Sequence, residues 1–331
     1  MTEQKAHPSH GTLLTYRPDI KICDCTIRDG GLINDHQFDD GFVKAVYDTL
    51  VESGVHYMEV GYKGSKKIFS PAKNGPWRFC TEDDLRRAMG EKKGDMKLAV
   101  MADVGKTDYH EDIIPKEKSI IDTVRVACYI NQIPAAVEII NDAHQKGYEV
   151  TSQLMAISVV TEKEISEALE VLSQTPVSAV FLVDSFGALY SEQIRALVKQ
   201  YLHALSESGK EVGIHAHNNQ QLAYANTIEA LMLGASRLDT TINGLGRGSG
   251  NCPTELLLGF LKNPRFQLRP ILGCIEKYFV PLRDKIDWGP SIPYNITGLY
   301  NLHPREAIRW RQSDKKDNYL EFYDKMLEEI L

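Results

Sequence analysis

A (β/α)8 TIM barrel with a small C-terminal helical extension is the fold class that this 331-residue sequence predicts. Three observations carry the prediction. Short runs rich in β-branched residues recur eight times between residues 20 and 262. Amphipathic helical patterns separate them, and the repeat of about 25 to 40 residues suits one βα unit each time. Strands that read as near-continuous apolar runs imply parallel neighbours buried on both faces. Eight such units favour a closed barrel over an open sheet.

The first strand is expected at residues 20–26 (IKICDCT), followed by a helix at 39–53. The next strands are 57–61 (YMEVG), 97–102 (KLAVMA), 123–129 (TVRVACY) and 149–157 (EVTSQLMAI). The series closes with 179–184 (AVFLVD), 211–216 (EVGIHA) and 237–242 (RLDTTI). Helical periodicity fills 133–147, 162–173, 191–208 and 220–234, and Gly147, Gly209 and Gly234 stand where helix ends favour glycine. After Pro264 the pattern becomes richer in proline and aromatics and ends in a charged helix over 315–331. The expected organisation is a flexible arm (1–18), a catalytic barrel (19–264) and a helical extension (265–331) suited to association, self-association being the expectation.

Bulk properties exclude several function classes. Thirty-eight basic against 45 acidic residues give a net charge of −7, which offers no global attraction to nucleic acid or an anionic membrane. Six cysteines spread along the chain do not resemble a secreted disulfide framework, and Cys23 and Cys25 read as core. The N-terminus has no apolar signal region and no run reaches the ~18 residues of a membrane span, so a cytoplasmic protein is expected.

In a barrel, groups at the C-terminal ends of the strands converge on one mouth. That places Asp24, Thr26, Arg28, Asp29, Glu59, Asp103, Arg125, Gln153, Asp184, Ser185, His215, His217 and residues 243–251 near a common pocket. The strongest local signal is IHAHNN, residues 214–219. Two histidines at i, i+2 on a strand face the same way and can converge on one ion. Asp29 is the best-placed third ligand, and two imidazoles with a carboxylate suit Mn²⁺ or Mg²⁺, with Zn²⁺ less favoured. Arg28 beside it cannot lose its charge and is suited to an oxyanion; Glu59 is a candidate carboxylate to orient it. The glycine-rich loop 243–251 matches neither a dinucleotide fingerprint nor a P-loop; it can contact an anion, and Asn251 can add an oxygen ligand. Lys63, Lys66, Lys67, Lys73 and Arg78 read as a solvated basic loop, with contact to a substrate phosphate or carboxylate as the alternative.

The ordered set DCTIRDGG, MEVG, IHAHNN and GLGRGSGN resembles the DRE-TIM metallolyase superfamily over residues 20–262. That group includes hydroxymethylglutaryl-CoA lyases, isopropylmalate and homocitrate synthases, and 4-hydroxy-2-oxovalerate aldolases. VRVACY, VDSFGA and GIHAHNNQQLAYANTIEA look closest to the class II pyruvate aldolases. The resemblance implies Asp29, His215 and His217 as metal ligands with Asn251 added, Arg28 as the enolate-stabilising arginine with Glu59 its partner, and Ser185 on the substrate side. Gln153 and Arg125 join the substrate-binding candidates from their strand positions. It also implies a divalent-metal-dependent lyase making or cleaving a carbon–carbon bond of a 4-hydroxy-2-oxo acid, with an aldehyde as the other product. An acylating aldehyde dehydrogenase is the partner known in that group. One departure stands out: where the aldolases carry a catalytic histidine just after the metal aspartate, this chain reads GGLINDH, with Leu32. His36 is the nearest substitute for proton transfer, and Tyr294, Tyr300 and His303 are further candidates. A Claisen-type acyltransferase using acetyl-CoA, and a barrel retained as a binding partner, are the competing readings.

Overall fold

The computed structural model of the protein describes residues 17–330, so most of the expected N-terminal arm and Leu331 lie outside it. Eight strands pair parallel in sequence order: β1 (Lys21–Asp24), β2 (Tyr57–Tyr62), β3 (Lys97–Asp103), β4 (Thr123–Cys128), β5 (Glu149–Leu154), β6 (Ala179–Asp184), β7 (Glu211–Ala216) and β8 (Arg237–Thr240). Cys23 pairs with Tyr57 on one side and Asp239 on the other, so β1 joins β2 to β8 and the sheet closes. The predicted (β/α)8 barrel is therefore the observed fold, with helices following the strands and a helical C-terminal part. Among the described residues no helix is long and apolar enough to cross a membrane.

Local chemistry explains the helix boundaries. The helix Glu162–Ser173 starts on a reciprocal cap, Thr161 accepting from Glu164 N and donating its own N–H to the Glu164 carboxylate (2.9 Å). The helix expected over 191–208 ends at Leu205, because a turn leads into Gly209 at φ +67°. The last helix runs Tyr319–Ile330 and begins later than expected, residues 315–318 forming a turn closed by Asn318 N to Lys315 O. The first strand is also shorter than its apolar run. After Cys25 the chain turns into a short helix, Thr26–Gly30, so Arg28 and Asp29 sit on that helix and not at a strand end.

Strand alternation divides the core in two. One set of side chains packs outward against the helices, with Ile22, Met58, Val100, Val126, Leu182 and Ile214 all buried in one continuous cluster. The other set fills the barrel in small separate clusters such as Cys23, Cys25 and Tyr57. At the lower end Arg237 bonds Glu149 (2.9 Å) and Glu211 (2.6 Å), while Lys97 bonds Glu149 (2.7 Å). Burial would raise the Glu149 carboxyl, but Lys97 and Arg237 bring it down to about 2.

A register shift on β2 between Glu59 and Gly61 has a direct bearing on the mouth. Tyr57 and Glu59 point into the barrel; a bulge changes the parity, and Tyr62 then also faces inward at the upper rim. The same stretch needs a glycine. A Cβ at Gly61 would lie 2.0 Å from Trp77 O, so only glycine lets the β2–β3 connection fold back against the strand.

Candidate metal centre and substrate pocket

The pocket at the C-terminal mouth is lined by residues from most of the strands, including Arg28, Asp29, Gln153, Ser185, His215 and His217. His215 and His217 project from the end of β7 and the following bridge residue, as i, i+2 spacing requires. Their Nε2 atoms lie 3.6 and 3.9 Å from Asp29 Oδ2, and ligand atoms of the three residues all fall within 4.8 Å of one another. The opposite ring nitrogens are tied down: His215 Nδ1 faces Asp239 Oδ2 at 3.0 Å, and His217 Nδ1 donates to Gly250 O at 3.3 Å. Anchoring Nδ1 turns Nε2 toward the shared point, as metal-ligating histidines require.

Two further observations fit a cation there. His215 Nε2 has no hydrogen-bond partner, and neither side-chain atom of buried Asn251 has one. Asn251 is brought alongside by its backbone bridge to His217. A Cβ at Gly246 would fall 2.0 Å from Asn251 Nδ2 and 2.6 Å from Asp29 Oδ1, so the glycine-rich loop approaches the cluster as closely as a backbone can. Arg247 N donates to Asp29 Oδ1 at 2.8 Å, fixing the carboxylate.

The electrostatics agree. Burial alone would raise the Asp29 carboxyl, but Arg28, with His217 and His215, holds it well below the usual carboxylate range. Burial would lower His215, yet the hydrogen bond to Asp239 and the Asp29 carboxylate facing its Nε2 raise it, so two carboxylates draw positive charge to this point. His217, with burial dominating over Asp29 and Arg247 adding to it, is held well below its ordinary value.

Arg28 donates from Nε to Glu59 Oε2 (2.6 Å) and from Nη1 to Asp29 Oδ2. Glu59, fully buried, also receives Arg125 Nη1 at 3.1 Å, and Arg125 continues to Asp239 Oδ2 at 2.6 Å. One chain of alternating charges thus runs from Arg28 to His215, each charge held by the next. Arg125 lies beneath the pocket and does not line it. Its Nη1 also donates to Cys23 and Cys25 Sγ at 3.5 and 3.3 Å; a guanidinium therefore occupies the place a cation would take between those thiols and Asp239.

The remaining candidates divide. Gln153 lines the pocket with Oε1 unpartnered, its Nε2 donating to Thr151. Ser185 lines it while its Oγ accepts from Ala156 N. His36 is not among the lining residues. A left-handed turn at Asp35 and His36 (φ 53° and 61°) buries it, and its Nε2 accepts from Arg78 at 3.2 Å. Burial, with Arg78 beside it, lowers His36 to about 3, which makes it a poor proton acceptor. Leu32 lines the pocket. Tyr300 bonds Tyr323 instead, and Tyr294 does not reach the pocket, whereas His303 does. His303 Nδ1 accepts from Arg305 N (3.1 Å), so the neutral ring presents an Nε2–H donor.

Sequence reasoning passed over Asp239, Tyr62 and Lys106, and it grouped Arg78 with four lysines as a solvated loop, with contact to a substrate phosphate or carboxylate as the alternative. Asp239 carried a signal: it follows Arg237 at i+2, on the inward face of β8. Arg78 stood in a basic cluster after β2, but nothing local separated it from the lysines around it, because a basic residue in a long connection looks solvated until the fold buries it.

The HMGL-like family model matches residues 19–269. The 4-hydroxy-2-oxovalerate aldolase of Bacillus cereus is 29% identical over 318 residues, covering 91% of this chain and 89% of that protein. The oxaloacetate decarboxylase of Mycobacterium tuberculosis is 30% identical over 253 residues, covering 75% and 71%. Among solved structures, the N-terminal domain of a candidate aldolase from Bacteroides vulgatus superposes with a TM-score of 0.73 at 27% identity, covering 88% of this chain and 96% of that one. With a family match that spans most of the barrel and the motifs resting at its mouth, the chain belongs to the HMGL-like family.

Proposed function

We propose that this protein is a divalent-metal-dependent carbon–carbon lyase that cleaves or forms a 4-hydroxy-2-oxo acid. The carrying observation is the convergence of Asp29, His215 and His217 on one point, with Arg28 held against Asp29 by Glu59. Both curated relatives are named for work on 2-oxo acids and for breaking a carbon–carbon bond. Asp29, His215 and His217 would hold the ion, with Asn251 Oδ1 as a further oxygen, and this mixed N/O set suits Mn²⁺ or Mg²⁺. Such an ion supplies Lewis acidity to the 2-oxo acid head and so lowers the cost of enolate formation.

The chain's own groups do the rest. Arg28 presents a fixed positive charge to the enolate oxygen and cannot neutralise itself by losing a proton. Glu59 prevents that guanidinium from swinging away. His303, with its proton on Nε2, would donate to an oxygen of the substrate, and Gln153 and Ser185 would help set the substrate's orientation. Leu32 and Phe186 keep the reacting region apolar, which strengthens the charge interactions inside it.

The test is a screen of 4-hydroxy-2-oxo acids with chelator-treated protein, to which Mn²⁺ or Mg²⁺ is returned, followed by coupled detection of pyruvate. Cation-dependent release of pyruvate is expected, and its absence with every acid tested would overturn the proposal. Asp239→Asn is expected to weaken Mn²⁺ binding about ten- to a hundredfold in calorimetric titration, because an amide anchors His215 Nδ1 less firmly. Wild-type affinity in that variant would show that Asp239 does not orient the ligand.

A further inference from the structure

Four arginines among the described residues are buried: Arg28, Arg78, Arg125 and Arg237. Three of them are paired with carboxylates, Arg28 and Arg125 with Glu59, and Arg237 with Glu149 and Glu211. Arg78 has no carboxylate within ion-pair distance among the described residues, although only 7% of it is exposed and it lines the pocket. Its Nε has no hydrogen-bond partner, and its Nη1 is engaged only with the neutral ring of His36. An unpaired buried charge is costly, and arginine cannot relieve the cost by deprotonating.

The fold holds Arg78 where it is through several separate contacts. Gly61 admits the connection beneath it, Gly64 N donates to Arg78 O at 2.9 Å, and Trp77 is fully buried with its Nε1 bonded to Phe38 O at 2.7 Å. The guanidinium lies 3.6 Å from the centroid of Phe69 and 4.6 Å from that of Tyr62. Two aromatic faces offset part of the desolvation and fix the plane of the group, but neither neutralises it. Nearby, Lys106 and Asp103 cancel each other across 2.9 Å, so Arg78 supplies the net charge of this wall.

We propose that Arg78 is an anion-recognition subsite, and that the substrate carries a terminal anionic group, carboxylate or phosphate, at the end remote from its 2-oxo acid head. The proposal rests on the lyase reading above, for it takes Arg28 and the metal centre to hold the 2-oxo acid end. Tyr62 lines the pocket with both arginines, its phenol pushed up by burial while both guanidiniums pull it down. Leu32, Met101 and Met155 line the pocket beside them and suit an aliphatic segment joining two charged ends. Charge-assisted hydrogen bonds to a buried arginine are the strong class, and an analogue without the anion leaves that charge unanswered.

Binding separates this proposal from the reaction. The Mn²⁺-loaded full chain is titrated calorimetrically with 2-oxohexanoate, with 2-oxoadipate, which ends in a carboxylate, and with the analogue ending in a phosphonate. At least one anionic acid is expected to bind about tenfold or more tightly than 2-oxohexanoate, and whichever does so identifies the terminal group. Arg78→Gln should bring that ratio close to one, whereas Arg78→Lys should retain most of it. Should Arg78→Gln fail to fold, the wild-type ratio and the lysine variant still decide the matter. Equal affinities for all three acids, or a ratio unchanged in a folded Arg78→Gln protein, would overturn the subsite even if pyruvate is released. A ratio that behaves as expected in a protein without lyase turnover would sustain the subsite and overturn the reaction. If none of the acids binds, both fall.

Discussion

Asp29→Asn is expected to weaken divalent-cation binding by more than about a hundredfold and to reduce pyruvate release by about a thousandfold or more. Asp29 offers the only carboxylate among the described residues that groups with His215 and His217. Its Oδ1 is already taken by Arg247 N at 2.8 Å, and its Oδ2 faces both imidazoles as well as Arg28. An amide keeps the shape but removes the charge. With its oxygen toward Arg247 N, its –NH2 would face the Arg28 guanidinium, donor against donor. Metal content by mass spectrometry and turnover at saturating Mn²⁺ are the measurements, with circular dichroism to verify folding. Unchanged metal content together with unchanged turnover would sink the assignment.

Arg28→Lys should separate chemistry from metal binding. It is expected to lower kcat about 10²- to 10³-fold, the usual cost of losing one preorganised oxyanion partner, while Mn²⁺ content falls little. Lysine retains the charge, but a single ammonium on a flexible stem cannot engage Glu59 and Asp29 simultaneously as the planar group does. Glu59 would keep Arg125 at 3.1 Å, so its buried charge stays compensated and the fold should survive. The informative readout is kcat against KM for the 2-oxo acid. A rise in KM with kcat unchanged would mean that Arg28 merely binds the substrate and does not stabilise what forms from it.

The two variants probe features that were readable in different degrees. The i, i+2 histidines needed only the alternation of a strand, and Asp29 and Arg28 needed only a place after the first one. Barrel topology then brought β1 and β7 to the same mouth. Glu59 as the partner of Arg28 was also accessible, because an inward carboxylate on β2 has few cations to meet. His36 was not. Its short distance from Asp29 along the chain suggested a part in proton transfer, but the left-handed turn at residues 35 and 36 directs the ring behind Arg78. Tyr62 was hidden for a related reason: strict alternation points it out of the barrel, and the bulge after Glu59 reverses that.

Periodicity, helix caps and the motif order along the chain were enough to specify the barrel and its strand succession, because these depend on interactions within a strand or between adjacent units. The expected trio of Asp29, His215 and His217 followed once the closed barrel was taken to turn all strand ends to one mouth. The burial of Arg78, the anchoring of His215 by Asp239 and the ion-pair chain through Glu59 and Arg125 arise from contacts between segments distant in sequence. A charged residue in a strand or loop has the same local propensity whether its partner lies across the barrel or in solvent. Its protonation, its cost and its chemical use are set by the groups that the closed barrel places around it.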